Sequence, residues 1–397
     1  MFNWQKVFNR KFLVHFLIFI LLNIIFFVNI LLFNSKFEFN TLYYKTSAYH
    51  FFEDPRFLGG SFNLLNSLGQ YDAQWYLKIA SEGYPKIENN LESVKERVDY
   101  AFFPLYPLLI KFFSLFLKDV SLSAFFLSIF FILINYISLI FIIKKSIGYT
   151  TAVKTAFLLF FFPFAVFYRG YFTEGLYLFL LLWFSYFLLK RYYIKSAFFL
   201  SLLNVTKASG FLLNALFLFL SLKDYIKAKI SLRIFLVSLL IIFTPFAGWM
   251  IFNYMNTESF VYFLKIRYLW LPDEFLTYPF IIFLFNIFLI FRFTSLSLHA
   301  FHSSRVEIFT FFVFLFLLIF GRKKMPNIFC LVSFCLWLSP LLVTDLMSFS
   351  RYQTVNFPIF VYLAGILKGK YFYVFFLLSY LALLITSLFF VNWWWVG

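Results

Sequence analysis

Long runs of Phe, Leu and Ile recur from one end of this chain to the other. The first run, Phe12 to Phe33, is 22 residues long, and a helix of about 20 apolar residues crosses the hydrocarbon of a bilayer. Hydrophobic residues make up 63% of the chain and charged residues only 13%, which leaves too little polar surface for a water-soluble domain. Because backbone groups in lipid must bond within their own segment, the runs predict an all-α polytopic membrane protein.

Apolar runs account for most of the chain, and no polar stretch is long enough for a second domain. We therefore predict one integral membrane domain, residues 1–397, in which residues 34–119 form a first outer loop with interfacial helices. The predicted spans are 12–33, 120–143, 151–167, 172–189, 194–206, 208–222, 232–254, 306–320, 328–343, 356–368 and 371–391.

Two further runs, 101–118 and 278–293, are ambiguous as spans. If both lie along or dip into the outer interface, the basic clusters that follow the spans, such as Lys144 and Lys145, fall in the cytoplasm. The positive-inside rule therefore favours eleven spans with a cytoplasmic N-terminus. Nearly all acidic residues then lie outside, which indicates that any chemistry takes place on the outer face.

The distribution of charge limits the partners of the chain. The formal net charge is +17, but the basic residues form small clusters between apolar runs and not one continuous face. This pattern argues against nucleic acid and favours membrane lipid as a partner. Since no Asp or His set is clustered as metal ligands, we predict neither a metal requirement nor a cofactor.

A carboxylate stands in an aromatic setting in the outer-loop stretch "GQYDAQWYLKIASEGYP". After Asp72, apolar residues at i, i+3 and i+4 spacing and a closing glycine predict a helix lying on the bilayer. Tyr71, Trp75 and Tyr76 are predicted to sit at headgroup depth. Asp72 either caps this helix or, beside other polar groups at the membrane surface, takes a proton from a hydroxyl group.

Other outer segments carry isolated charges. Arg169 and Glu174, in "YRGYFTEGLY", either pair with each other or face a ligand. Lys207, in "NVTKASG", interrupts an apolar stretch and predicts a turn between two short helices, where the ammonium group binds a lipid phosphate or reaches the headgroups. Arg351, in "TDLMSFSRYQ", is either a membrane-edge anchor or a second phosphate ligand.

Five segments in the same order resemble a known family. They are "FLGGSFNLLNSLGQYDAQWYLKIASEGY" with "YAFFPLYPLL", then "FPFAVFYRGYFTEGLYLFLLL", "TKASGFLL", "RYLW" and "SFSRYQTVNFPIF". Together, over roughly residues 58 to 360, they resemble the PIG-V family, which includes the second mannosyltransferase of GPI-anchor synthesis and bacterial relatives. Each motif alone is weakly specific, whereas five in register are a strong signal.

The resemblance implies a GT-C glycosyltransferase fold, a polyprenyl-phosphate-linked sugar donor and a mannosyltransferase that acts on the periplasmic side of a bacterial inner membrane. It also implies that Asp72 is the catalytic aspartate. Two positions depart from the family pattern: Tyr71 stands where Trp is usual, and Lys207 stands where Arg is usual. A lysine meets phosphate as a point charge and not as a bidentate fork.

These observations lead to a hypothesis of inverting sugar transfer to a glycan or glycolipid acceptor. Asp72 would accept the proton of the attacking hydroxyl, and Lys207 and Arg351 would stabilise the leaving phosphate. The further residues assigned to donor or acceptor binding are Tyr71, Trp75, Arg169, Glu174, Arg267, Trp270 and Tyr352. Two alternatives remain. A lipid-linked sugar flippase would move the donor across the membrane without transferring sugar, and an oligosaccharide ligase would use a larger donor.

Overall fold

The computed structural model describes residues 10–46, 51–86, 94–266, 279–292, 304–322, 324–343 and 348–397. These residues form helices and contain no β-strand, which confirms the predicted all-α class for this part of the chain. The α-helices are α1 (Arg10–Phe33), α2 (Thr41–Thr46), α3 (Leu64–Leu68), α4 (Asp72–Glu82), α5 (Leu105–Leu117), α6 (Val120–Ser146), α7 (Tyr149–Phe160), α8 (Glu174–Leu189), α9 (Tyr193–Asn204), α10 (Phe211–Ile226), α11 (Leu232–Thr257), α12 (Tyr262–Lys265), α13 (Pro279–Arg292), α14 (Ser304–Gly321), α15 (Asn327–Val343), α16 (Phe349–Gln353), α17 (Phe357–Ile366) and α18 (Gly369–Val391).

Five helical segments within the described ranges are long and apolar enough to cross a membrane by length and composition. They are Arg10–Lys36, Val120–Ser146, Ala208–Ile226, Leu232–Thr257 and Gly369–Val391. Each overlaps a span predicted from the sequence, so the membrane class of the protein is supported. The total of eleven spans and the GT-C fold stay predictions.

Helix α5 lies within the first of the two ambiguous apolar runs. Its 13 residues give a length of about 20 Å, which is less than the roughly 30 Å of a hydrocarbon core. Leu108, Leu115 and Phe116 are exposed along one side, whereas Tyr106 and Ile110 are buried against the protein. One side of α5 is therefore apolar and exposed, as expected for a helix in contact with lipid.

The centre of the bundle positions α8, which carries a predicted site residue at its start. Helix α6 packs against both α7 and α8, and α8 packs against α9. The side-chain amide of Asn135 in α6 donates a hydrogen bond of 2.7 Å to the carbonyl of Gly175. A Cβ atom at Gly175 would approach Phe131 of α6 to 3.0 Å, so the two helices are in close contact there. The first turn of α8 is therefore fixed against α6.

Helix α4 in the first outer loop begins and ends as the sequence predicts. It starts at Asp72 and stops at Glu82, where Gly83 takes a φ of 85° and donates its N–H to the Ile79 carbonyl. The predicted headgroup depth of its aromatic rings stays a prediction, whereas the predicted contact of its apolar face with the bilayer is not found. Trp75 and Tyr76 are buried, because α4 packs against α5 and α6 instead of resting its apolar face on lipid.

Candidate active site

Four charged side chains from distant parts of the chain form one continuous line of contacts. Arg351 Nη1 donates to Asp72 Oδ2 at 2.6 Å, and Arg351 Nε donates to Glu174 Oε1 at 2.7 Å. Lys207 Nζ donates to the same Glu174 oxygen at 2.9 Å. The line Asp72–Arg351–Glu174–Lys207 therefore brings together the three residues to which the sequence assigned base and phosphate-binding roles, with Glu174 as the bridge.

The side chains of this line differ in how far they are exposed to solvent. The side chain of Glu174 is 1% exposed and that of Arg351 is 4% exposed, whereas Asp72 is 36% exposed. Asp72 Oδ1 has no hydrogen-bond partner among the described residues, so one carboxylate oxygen is held by Arg351 and the other is open. Asp72 is thus the member of the line that an outside hydroxyl group can approach.

Local structure at position 71 aims Asp72 at Arg351. Tyr71 has a φ of 56° and a ψ of −126°, a left-handed backbone conformation that a residue with a Cβ adopts at a cost. Tyr71 is the N-cap residue of α4, and Asp72 lies in the first helical turn. The carboxylate also complements the positive end of the helix dipole.

Lys207 lies in a tight turn between two helices, as predicted. Helix α9 ends at Asn204, and the Leu203 carbonyl accepts the N–H groups of both Thr206 and Lys207. A Cβ atom at Gly210 would come within 3.2 Å of the Leu203 carbonyl group, so the returning chain passes very close to the end of α9. The interrupted apolar stretch therefore places a lysine at the ends of two helices and not in the middle of one.

Two aromatic rings hold the Arg351 side chain, and a carboxylate holds the residue before it. Its guanidinium carbon lies 4.8 Å from the ring centre of Phe167 and 4.6 Å from that of Phe172. Glu307 Oε2 accepts both the N–H and the hydroxyl of the preceding residue, Ser350, at 2.7 Å each. Burial alone would lower the pKa of Arg351, but the carboxylates of Glu174 and Asp72 outweigh it and raise that pKa above its ordinary value.

A narrow pocket adjoins the charged line. Its lining residues are Glu174, Tyr177, Lys207, Ser209, Leu336, Ser339, Arg351, Tyr352 and Val355. Lys207 Nζ lies 4.0 Å from the centre of the Tyr352 ring. The pocket therefore combines two cations and the carboxylate that bridges them with hydroxyl groups and apolar surface, and the spare N–H donors of the cations suit an anionic group attached to an apolar chain.

Several residues assigned by the sequence lie outside this line of contacts. Arg169 does not pair with Glu174: its guanidinium donates to the carbonyls of Phe160 and Ala165 and to Asn23 Oδ1. The ring of Trp75 stacks on Phe102 with centres 5.9 Å apart. The predicted binding roles of these two residues stay predictions, and two more of the assigned residues, Arg267 and Trp270, lie outside the described residues.

Some residues at the site were not identified from the sequence. Tyr177 stands one helical turn after Glu174, and Ser209 follows Lys207 by two positions. Their closeness in sequence to predicted site residues could have identified both as residues that line the pocket. Ser339 of α15 and Phe167 gave no local signal, because only the tertiary fold brings them to Lys207 and Arg351. Within the ranges that the structure describes, no three His, Cys, Asp or Glu side chains are grouped to hold a metal ion.

Comparisons with family models, with curated proteins and with solved structures each gave no match to this chain. The site is therefore interpreted from its own chemistry. An open carboxylate oxygen, two cations with spare N–H donors and a partly apolar cavity lie within one contact network. Such a network supplies a proton acceptor beside a site for an anion.

Proposed function

We propose that this protein is an inverting GT-C glycosyltransferase of the membrane. It moves a sugar, mannose by the family resemblance, from a polyprenyl phosphate to an acceptor hydroxyl group on a glycan or glycolipid. The observation that carries this proposal is the 2.6 Å contact between Asp72 and Arg351 beside a cavity that Lys207 also lines. One carboxylate and a cationic pocket are the minimum that a single displacement at a sugar phosphate needs.

The phosphate of the donor is bound by Arg351 and Lys207 in this proposal. Arg351 uses Nε and Nη1 for the two carboxylates, and its Nη2 group has no partner among the described residues. Lys207 Nζ donates to Glu174 and keeps further N–H donors. Both cations therefore have donors left for phosphate oxygens, and each well-placed donor stabilises the growing negative charge by about 3 kcal/mol.

Asp72 is the general base. As the acceptor oxygen attacks the anomeric carbon, its proton passes to Asp72 Oδ1, and the bond from that carbon to the phosphate oxygen breaks. Polyprenyl phosphate leaves with the electron pair of that bond. A retaining double displacement needs a second carboxylate as nucleophile, and Glu174 is unsuited because it is buried and bound by both cations.

The ends of the helices support an active site on the periplasmic side. Asp119 and Glu174 stand at the beginnings of α6 and α8, whereas Lys144 lies in the last turn of α6 and Lys190 directly follows α8. By the positive-inside rule, the lysine ends face the cytoplasm and the site faces outward. This orientation supports a cytoplasmic N-terminus, and the family resemblance supports a bacterial inner membrane as the location.

Sugar transfer by the purified protein in proteoliposomes tests this proposal. With labelled polyprenyl-phosphate mannose and a membrane glycolipid extract as acceptor, Asp72→Asn should lose about 10²–10⁴-fold in rate, because the base is gone while the shape is kept. Asp119→Asn is the matched control, since Asp119 only caps α6 and Asn caps equally well.

Three results would overturn the proposal. Asp72→Asn could transfer sugar at the rate of the control. Transfer could occur only from oligosaccharide donors, which would make the protein a ligase. The donor could instead cross the bilayer without any transfer, which would make it a flippase.

A further inference from the structure

The last turn of α18 and the segment that follows it pack against Tyr71, the residue directly before Asp72. The ring of Tyr71 lies 5.7 Å from Phe390, 5.2 Å from Trp393 and 4.8 Å from Trp395, measured between ring centres. Tyr71 is also the residue with the left-handed backbone directly before Asp72. A strained conformation persists only where its surroundings hold it, and here these three rings and that of Tyr43, whose centre lies 5.5 Å away, pack on the Tyr71 ring.

Trp395 also contacts the partner of Asp72. Its ring centre lies 5.6 Å from the guanidinium carbon of Arg351 and 5.6 Å from the ring centre of Phe167, which packs on the same guanidinium. The side chain of Trp395 is 5% exposed. One buried indole thus contacts both the residue that aims the carboxylate and the cation that the carboxylate meets.

Stability alone does not favour a tryptophan at this position. Its indole N–H is buried and has no hydrogen-bond partner among the described residues, an arrangement that costs stability. A phenylalanine would avoid that cost. The indole ring contacts both Tyr71 and Arg351 from this one position.

We infer that Trp395 is a positioning residue, which sets the relative placement of Asp72 and Arg351 through simultaneous contacts with Tyr71 and the guanidinium. This inference rests on the proposed function for its effect on catalysis. The placement itself is a geometric property and is testable without any sugar transfer.

Reactivity of a thiol at position 72 tests the placement directly. Asp72→Cys is made in a chain that also carries Cys330→Ala and Cys335→Ala, and its rate of modification by a membrane-impermeant maleimide is measured in proteoliposomes. Adding Trp395→Ala should change that rate by about tenfold, since the backbone at Tyr71 loses its support. Trp394→Ala is the matched control, because Trp394 donates its indole N–H to the Glu38 carbonyl and does not pack on Tyr71. Equal rates in the two variants would overturn the inference.

Sugar transfer gives the second readout in the otherwise native chain. Trp395→Ala should lower kcat by about 10²-fold at saturating donor, because small misplacements of reacting groups are costly. Trp395→Phe should unfold at the same or a higher temperature than the native chain and still be slower, whereas a merely structural residue would lose rate only with stability. A native rate in Trp395→Phe and Trp395→Ala would overturn the role. If the native chain transfers no sugar, the proposed function fails, and the thiol measurement still decides the placement.

Discussion

Glu174 holds the site together at the scale of single residues. Among the residues that the structure describes, it is the one carboxylate that contacts both cations, through its Oε1 atom, and it lies almost wholly out of solvent. Without it, the buried Arg351 would keep only Asp72 as a carboxylate partner, beside the half-buried Lys207. A buried cation that loses its carboxylate partner destabilises a fold strongly, because its desolvation is no longer compensated.

Replacing Glu174 should therefore lower stability as well as activity. Glu174→Ala is expected to reduce the free energy of unfolding by about 3–5 kcal/mol, and Glu174→Gln by less, since the amide oxygen still accepts one hydrogen bond. Thermal unfolding in detergent micelles, followed by tryptophan fluorescence, measures the difference. Glu82→Gln, at an exposed position at the end of α4, serves as the control and should change stability by at most about 0.5 kcal/mol. A Glu174→Ala midpoint equal to that of the control would contradict this account of the charged line.

Sequence reasoning identified the chemical groups better than their partners. Asp72, Lys207 and Arg351 were each marked because a charge beside an apolar run needs an explanation. The pairing of Glu174 with Arg169 was a local alternative, and it is wrong because the fold brings Arg351, 177 positions away, to the same carboxylate. No periodicity in the chain encodes a contact of that sequence separation.

At the scale of elements, the turn between α9 and α10 decides where Lys207 points. The sequence predicted this break from one lysine in an apolar stretch, and the helix bounds confirm it. Gly210 has ordinary helical angles, so its role is not backbone freedom. Gly210 matters because it has no side chain, which lets the backbone pass close to the Leu203 carbonyl.

Adding a methyl group at Gly210 should disturb the site. Gly210→Ala places a Cβ 3.2 Å from backbone atoms of Leu203, which are held in α9 and cannot easily move. We expect a loss of about 1–3 kcal/mol in stability and slower sugar transfer, because Lys207 shifts with the turn. Gly248→Ala in α11 is the control: no atom lies within 4 Å of its added Cβ, and alanine favours a helix by about 0.5–1 kcal/mol. Equal stability and equal transfer in both variants would show that the close passage at Gly210 has no influence.

The limits of α4 were predictable from the sequence, but its packing partners were not. Its limits followed from Asp72 and Gly83, since turn and capping preferences are local. Its burial did not follow, because an amphipathic pattern indicates an apolar face without saying whether lipid or protein covers it. Here α5 and α6 cover it, so Trp75 and Tyr76 stabilise the protein interior.

At the scale of the whole molecule, elements far apart in sequence meet at the charged line. Asp72 begins α4, Glu174 begins α8, Lys207 follows α9 and Arg351 lies in α16. The segment after α18 closes against them through Trp395. This convergence was predictable in outline, because outer segments between spans share one side of a membrane, but the order of contacts needed the fold.

The central claim is that this convergence binds the phosphate of a lipid-linked sugar beside Asp72. A cryo-EM map of the protein in nanodiscs with a polyprenyl phosphate bound tests it most directly. We expect phosphate density within about 3 Å of N–H donors of both Arg351 and Lys207, in the pocket that these two residues line. Phosphate density at the opposite, lysine-bearing ends of α6 and α8, with the cavity empty, would contradict it.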